Sequence, residues 1–215
     1  MFYKDIICLA NSRKMNGRCV AGKDVEDSAW IRPLSPLSKT GELTLRDITY
    51  EDWTEVKVLD IIRIPFKRRN PKFYQPEDIE MSKGIWKKVG AYAADELDKI
   101  CDNPEHIWLH GDDNDRIDVD FLSRNSINSS LLFIKSDTVL LINEAAYGKQ
   151  KLKCCFNYND ITYRLSVTDP VYEKRFKSRP PGTYKLKSSN IYLCISLSEP
   201  YRGYCYKLAA AIVRG

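Results

Sequence analysis

The stretch that decides the fold is Tyr163-Arg164-Leu165-Ser166-Val167-Thr168-Asp169-Pro170, followed by Tyr192-Leu193-Cys194-Ile195-Ser196-Leu197 and Tyr204-Cys205-Tyr206-Lys207-Leu208. Apolar and polar residues alternate in these runs, which is the pattern of strands with one buried face. A loop rich in lysine and arginine separates the first run from the second. The stretch therefore predicts a small β module with a cationic, aromatic face.

The first half of the chain repeats this pattern without repeating the sequence. Strand-like runs occupy residues 4–10, 17–23, 29–34 and 56–66, with turn chemistry at Met15-Asn16-Gly17. Turn signals at about ten-residue spacing favour a small barrel or sandwich in each half over a parallel α/β sheet. We predict a mainly β chain with minor α content, built from two small β units in tandem.

One segment changes period. Apolar residues recur at three- and four-residue spacing at Val89, Tyr92 or Ala93, Leu97 and Ile100. Residues 86–101 are therefore predicted to form an amphipathic helix between the two units. Acidic residues then accumulate from Asp112 to Asp120, in a linker or a short helical connection. We place the domain boundary after this segment, with residues 1–126 forming the first barrel and its helix, and residues 127–215 the second.

The composition indicates the environment and the classes of partner that suit this chain. The 215 residues include 34 Lys and Arg and 29 Asp and Glu, which gives a formal charge of +5. A net charge this small indicates little about partners, so the positions of the charges matter more than their sum. The seven cysteines lack paired spacing, which indicates a reducing, cytoplasmic environment rather than a disulfide framework. No apolar run reaches the roughly 18 residues of a membrane span, so we expect no membrane partner.

Two basic clusters contain aromatic residues. Arg68 and Arg69 follow a predicted strand and precede Phe73 and Tyr74. A second cluster in a predicted long exposed loop comprises Lys174, Arg175, Lys177, Arg179, Lys185 and Lys187, with Tyr172, Phe176 and Tyr184 among them. Cations neutralise phosphates and aromatic faces stack on bases, so both clusters suit single-stranded nucleic acid. The alternative for both is an ordinary solvated loop.

Catalytic and metal chemistry have few candidates. The cysteines lack the spaced pairs of a zinc knuckle, and strand-borne cysteines are commonly buried small apolar groups. His106 and His110 lie four residues apart, but Pro104 and Gly111 disfavour a helix there. We therefore expect no cofactor, no metal site and no catalytic residue, and the sequence favours a binding module over an enzyme.

Residues 8–14, 17–22, 30–35, 75–78, 165–170 and 204–208 together resemble the bacterial dual OB-containing domain proteins. The resemblance implies two consecutive OB-like barrels, no agreed catalytic residues, and a role in nucleic-acid or nucleotide-linked defence or conflict systems. Its signature residues here are Arg13, Lys14, Arg18, Arg32, Gln75, Glu77, Thr168, Asp169 and Lys207. Tyr74 and Asp78 stand where the resemblance leads us to expect a histidine and an asparagine.

These polar signature residues predict a ligand pocket or an interdomain cleft. In it, arginine and lysine would meet phosphate, and Gln75 and Glu77 would meet a base or ribose. For Asp169 we favour a capping role, because Thr-Asp-Pro is strong turn chemistry.

The function predicted from the sequence is non-catalytic binding of single-stranded DNA or RNA, or of a nucleotide. The predicted binding residues are Arg13, Lys14, Arg18, Arg32, Arg68, Arg69, Tyr74, Gln75, Lys174, Arg175, Lys177 and Tyr184. The alternative is an accessory subunit that docks on a partner enzyme through strand edges and the predicted helix.

Overall fold

A computed structural model describes residues 1–108, 111–146, 149–188 and 190–215. The first sheet contains β1 (Phe2–Lys14), β2 (Gly17–Asp24), β3 (Trp30–Leu34), β4 (Asp60–Arg69), β5 (Asp78–Met81) and β6 (Lys87–Ala91). Its strands pair in the order β1-β2-β3-β5-β4, and β4 pairs back to β1. This closes five strands into a barrel, and β6 adds to β4 outside the ring.

The second sheet contains β7 (Arg116–Asp118), β8 (Leu131–Ser136), β9 (Val139–Ala146), β10 (Lys149–Tyr158), β11 (Ile161–Val167), β12 (Gly182–Lys185), β13 (Ile191–Leu197) and β14 (Tyr204–Arg214). Seven of them follow the order β12-β9-β10-β11-β14-β13-β8, and β7 pairs with β14. Two short helices accompany this sheet, α1 (Val119–Arg124) and α2 (Pro170–Phe176).

Strand β1 is buried on both faces, which explains its continuous apolar run. Ile6 and Cys8 point into the core of the first barrel. Ile7 and Leu9 point the other way, into a separate apolar cluster. That cluster contains Phe133 and other residues of the second sheet, so the two units pack directly against each other along β1.

The predicted mainly β chain is confirmed, but the helix predicted at residues 86–101 is wrong. The segment forms β6 and then a 3₁₀ helix at Ala94–Ile100. Pairing of β6 with β4 overrides the apparent helical period, and Val89 is exposed on that strand. Leu97 and Ile100 face the cluster between the units, and their spacing of three suits a 3₁₀ helix as well as an α-helix.

The predicted long basic loop is also wrong, because it contains α2 and β12. The domain boundary at 126/127 stays a prediction; β7 and α1 precede it, yet β7 pairs with β14 and Leu122 lies in the second core. Within the described residues, no helix has the length and apolarity needed to cross a bilayer.

Candidate functional site

Two hairpin turns place a pocket at the junction of the barrels. The β1–β2 turn passes through Met15 and Asn16, as the sequence predicted. The connection from β13 to β14 ends in a tight turn in which Arg202 and Gly203 have φ values of 52° and 83°. Positive φ at both central residues is the two-residue hairpin geometry that glycine favours. Lys14 Nζ lies 3.2 Å from Glu199 Oε1, so the two connections meet.

The space between them is a cavity of about 370 Å³, which we call the inter-barrel pocket. Its volume lies within the range of small-ligand sites. The first barrel contributes Ser12, Arg13, Lys14, Met15, Cys19, Arg32 and Gln75. The second contributes Thr168, Ser196, Leu197, Ser198, Glu199, Pro200, Tyr201, Tyr206 and Leu208.

Three side chains of the pocket carry buried polar atoms that have no hydrogen-bond partner in the described part of the chain. They are Arg32 Nε, Gln75 Oε1 and Thr168 Oγ1. Arg32 and Gln75 are only 2% and 3% exposed, and Thr168 is 9% exposed. An unpaired buried polar group costs about 1–3 kcal/mol, so three around one cavity are a set that a ligand could satisfy.

The Gln75 amide has a defined orientation. Its Nε2 donates to the carbonyl oxygen of Leu197 at 3.1 Å. Because that partner only accepts hydrogen bonds, the amide nitrogen must face it, and Oε1 must point away. Gln75 therefore joins the barrels through one end of the amide and leaves an acceptor free at the other.

Arg32 is held by a buried ionic network beneath the pocket. Its Nη2 lies 2.6 Å from Glu77 Oε1 and donates to Ser130 Oγ at 2.5 Å. The Glu77 carboxylate also accepts from Ser130 N–H at 3.0 Å, so this network links the first barrel to the second. Burial works against the Arg32 charge, but Glu77 and Asp78 outweigh it and raise the Arg32 pKa above its ordinary value. The guanidinium is thus a fixed charge of the interface.

The other cations of the pocket are more accessible. Arg13 is half-exposed and makes a bidentate contact with Glu173, with Nη2 to Oε1 at 2.8 Å. Lys14 donates to the Thr40 carbonyl oxygen and to Glu199. Glu199 also receives Lys72 at 3.4 Å. Three cationic side chains therefore line the pocket against the single carboxylate of Glu199, which already has two lysine partners.

Aromatic rings stand at the rim. The rings of Tyr201 and Tyr206 lie 6.4 Å apart, and Tyr201 is exposed. The Arg202 guanidinium lies 5.2 Å from the Tyr201 ring centre. Neither tyrosine is among the binding residues predicted from the sequence. The signal available was Tyr201-Arg202-Gly203-Tyr204, an aromatic and basic turn between two alternating runs.

Four predicted binding residues come together at this pocket, namely Arg13, Lys14, Arg32 and Gln75. Arg18 lines a separate cavity beside Asn11. Arg68 is exposed and pairs with Glu80, with Nη2 to Oε2 at 2.9 Å.

Two further predicted residues lie near the barrel junction but outside the pocket. Arg69 lines another cleft between the barrels, with Trp30 and Trp108. Tyr74 packs against the second core, with Lys72 Nζ 5.6 Å from its ring centre.

The predicted residues of the second basic cluster lie on or after α2. Lys174 and Lys177 line a groove that also contains Arg13, whereas Arg175 is exposed outside it. Tyr184 donates to the Pro180 carbonyl oxygen at 2.9 Å and packs edge-on against Phe176. These contacts give Tyr184 a structural role in holding the turn before β12.

The predicted capping role of Asp169 is confirmed. Its Oδ1 accepts from the N–H groups of Val171 and Tyr172 at the start of α2. Its Oδ2 accepts from Ile212 N–H at 3.1 Å in β14. Burial raises the pKa of this carboxyl group.

The pocket offers hydrogen bonds, positive charge and stacking surface. Within the described residues, no group of three or more His, Cys, Asp or Glu side chains is arranged to hold a metal ion. His106 lines the cleft with Trp30, and His110 lies outside the described residues. The seven cysteines are free thiols, and four of them are buried.

A family model described as the dual OB-containing domain matches residues 4–212. The chain belongs to this family. Membership confirms the resemblance and the predicted fold class of two OB-like units with little helix. No curated protein sequence matches the chain significantly. Among solved structures, a murine DNA binding protein bound with ds DNA is similar at 9% identity over 100% of both chains, with a TM-score of 0.32. A likeness at this TM-score carries no argument about function.

Proposed function

We propose that this dual OB protein is a binding module for single-stranded nucleic acid or a nucleotide, and that the inter-barrel pocket holds one nucleotide unit. OB folds commonly bind oligonucleotides or oligosaccharides, so family membership alone leaves the ligand open. The observation that carries the proposal is the set of three unpartnered buried polar atoms in a pocket with cations and tyrosines at its edge.

Each part of a nucleotide has a counterpart in this arrangement. Gln75 Oε1 accepts hydrogen bonds, Arg32 Nε donates them, and Thr168 Oγ1 does either, which suits the mixed edge of a base. The exposed face of Tyr201 is available for stacking, which contributes about 1–3 kcal/mol per base. Arg13 and Lys14 supply charge for a phosphate.

A single strand or free nucleotide fits better than a duplex. Base edges are splayed out and accessible in single strands, whereas pairing occupies them in a duplex. A cavity of about 370 Å³ has room for a base with its sugar and excludes a paired helix.

Fluorescence anisotropy tests the proposal with labelled ten-nucleotide DNA and RNA across a salt series. We expect binding that weakens with salt, because each neutralised phosphate of a single strand contributes about −0.7 to the logarithmic slope. Tyr201→Ala removes a stacking face and should weaken binding by roughly 5-fold to 160-fold.

Tyr3→Ala is the matched control. Tyr3 is 56% exposed and Tyr201 is 59% exposed, but Tyr3 lies in a groove of the first barrel away from the inter-barrel pocket. Equal loss from both substitutions would contradict the pocket as the site. An absence of binding to DNA, RNA and free nucleotides at low salt would contradict the function itself and favour the accessory-subunit prediction. A role in bacterial defence stays a prediction of the resemblance.

A further inference from the structure

A second, larger groove adjoins the inter-barrel pocket. It has a volume of about 1050 Å³ and lies on the second sheet beside α2. We call it the α2 groove and define it by Arg13, Lys151, Ser166, Glu173, Lys174 and Lys177, which are among its lining residues. Apart from Arg13, the residues that line this groove do not line the inter-barrel pocket, so its composition is separate evidence about the ligand.

The α2 groove is strongly cationic. Lys151, Lys174 and Lys177 are exposed, and none has a carboxylate partner in the described part of the chain. The groove also contains Glu173, whose carboxylate is bound by Arg13. The exposed side chains of Gln150 and Ser166 add an amide and a hydroxyl group among the lysines. Solvated lysines beside neutral polar groups form a surface that tracks a phosphate backbone rather than one that reads bases.

Arg13 lines both cavities, the inter-barrel pocket and the α2 groove, so they adjoin at its side chain. Its Nε and Nη2 are bonded to Glu173, which fixes the guanidinium between the two spaces. An arginine has five N–H donors, so Nη1 remains available to a phosphate at this junction.

We propose that the natural ligand is a single strand rather than a mononucleotide, and that it runs from the inter-barrel pocket past Arg13 into the α2 groove. One base occupies the pocket, its phosphate lies at Arg13, and the following phosphates lie along Lys151, Lys174 and Lys177. This inference rests on the proposed function and specifies its ligand class.

The test is a length series. Oligothymidylates and oligouridylates of one to eight nucleotides compete against a labelled eight-mer in anisotropy titrations at several salt concentrations. Affinity should rise with each of the first few nucleotides, and the salt slope should steepen with it. The triple substitution Lys151→Glu, Lys174→Glu and Lys177→Glu should remove most of that gain and make the slope for the eight-mer shallower by about 2, at about 0.7 for each lost phosphate contact.

A charge-matched variant controls for long-range attraction. Arg46, Lys83 and Lys87 are exposed cations of the first barrel, and changing all three to glutamate alters the net charge equally. This variant should retain the gain in affinity with length. Equal losses from both triple variants would overturn the groove as a specific path.

The remaining outcomes separate this inference from the proposed function. Mononucleotide binding without a gain in affinity with length would overturn the strand path and leave the pocket standing. A failure of every length to bind would overturn both. An eight-residue polyglutamate that binds with the same lysine dependence while the oligonucleotides do not would show the groove to be a site for acidic protein segments and overturn the inference.

Discussion

Substitution of Glu77 by alanine should severely destabilise the molecule. The Glu77 carboxylate is buried at the barrel junction, 2.6 Å from Arg32 Nη2. It also accepts hydrogen bonds from the N–H and the hydroxyl of Ser130. Its removal leaves the Arg32 guanidinium bonded to the Ser130 hydroxyl, with Asp78 at 3.6 Å as its remaining carboxylate among the described residues. It also leaves Ser130 N–H unpaired.

The magnitude follows from these contacts. Removing one partner of a buried ion pair costs about 3–5 kcal/mol, because the other charge stays buried without compensation. The unpaired Ser130 N–H belongs to the same network, so its cost of about 1–3 kcal/mol overlaps with this figure rather than adding to it. We expect a loss of about 4 kcal/mol, which lowers the Tm of a chain of this size by roughly 8–16 °C.

Urea unfolding, followed by tryptophan fluorescence, measures this loss of stability. Trp108 reports on the region of the network. Trp108 Nε1 donates to the Ser129 carbonyl oxygen at 2.9 Å, next to the network. Glu77→Gln is the internal control, since its amide oxygen still accepts from Ser130 N–H while the ion pair is lost. It should cost roughly half as much as Glu77→Ala. A loss below about 1 kcal/mol for Glu77→Ala would refute the view that Arg32 is held in a dry, paired site.

Three further substitutions test separate parts of the structure. Asp78 is buried, and burial raises its pKa from 3.8 to about 6, so its ionisation costs about 3 kcal/mol. This cost grows as the pH rises from about 4 to 6 and reaches its full value above pH 6. In urea titrations, Asp78→Asn should therefore become more stable relative to wild type across that range. The exposed Asp137→Asn serves as the control and should show no such trend. Asp169→Ala removes a helix cap and leaves Ile212 N–H unpaired. It should lower the free energy of unfolding, measured by calorimetry, by about 2–4 kcal/mol. A loss under about 1 kcal/mol would contradict the capping role. Gln75→Leu removes one unpartnered acceptor of the pocket and should weaken oligonucleotide binding about 2-fold to 10-fold in anisotropy titrations. Unchanged affinity would exclude Gln75 from the ligand contacts.

Local patterns in the sequence were sufficient to predict several of the strands and turns. The alternation in residues 163–167 and 204–208 corresponds to β11 and β14, and the Met15-Asn16-Gly17 signal corresponds to a hairpin. Asp169 was predictable as a cap because Asp followed by Pro acts through its immediate neighbours. These features depend on contacts within a few residues of each other.

The sequence-based predictions are wrong where contacts between residues distant in sequence determine the structure. Residues 87–91 carry a helix-like period, but pairing with β4 makes them a strand. Lys14 meets Glu199 across 185 residues, and Gln75 meets Leu197 across 122. No pattern among neighbouring residues predicts contacts over such separations in sequence. Polar signature residues therefore indicated a shared site without showing that Tyr201 and Tyr206 complete it.

The same limit applies to charge. The sequence around Arg68 and around Arg32 does not distinguish them, because both arginines lie in stretches that contain basic or aromatic residues. One is exposed and paired with Glu80, and the other is buried against Glu77. The difference comes from the position of each residue in the closed barrel, which depends on strand register.

Photo-crosslinking with peptide mapping tests the central claim most directly. A single-stranded eight-mer with 4-thiothymidine at each position in turn is irradiated with the protein, and the crosslinked peptides are identified by mass spectrometry. The account predicts crosslinks at Tyr201 or Tyr206 from one position of the strand, and at residues of the α2 groove from the neighbouring positions. Crosslinks confined to Phe73, Tyr74 and the basic end of β4, with none at the inter-barrel pocket, would contradict it.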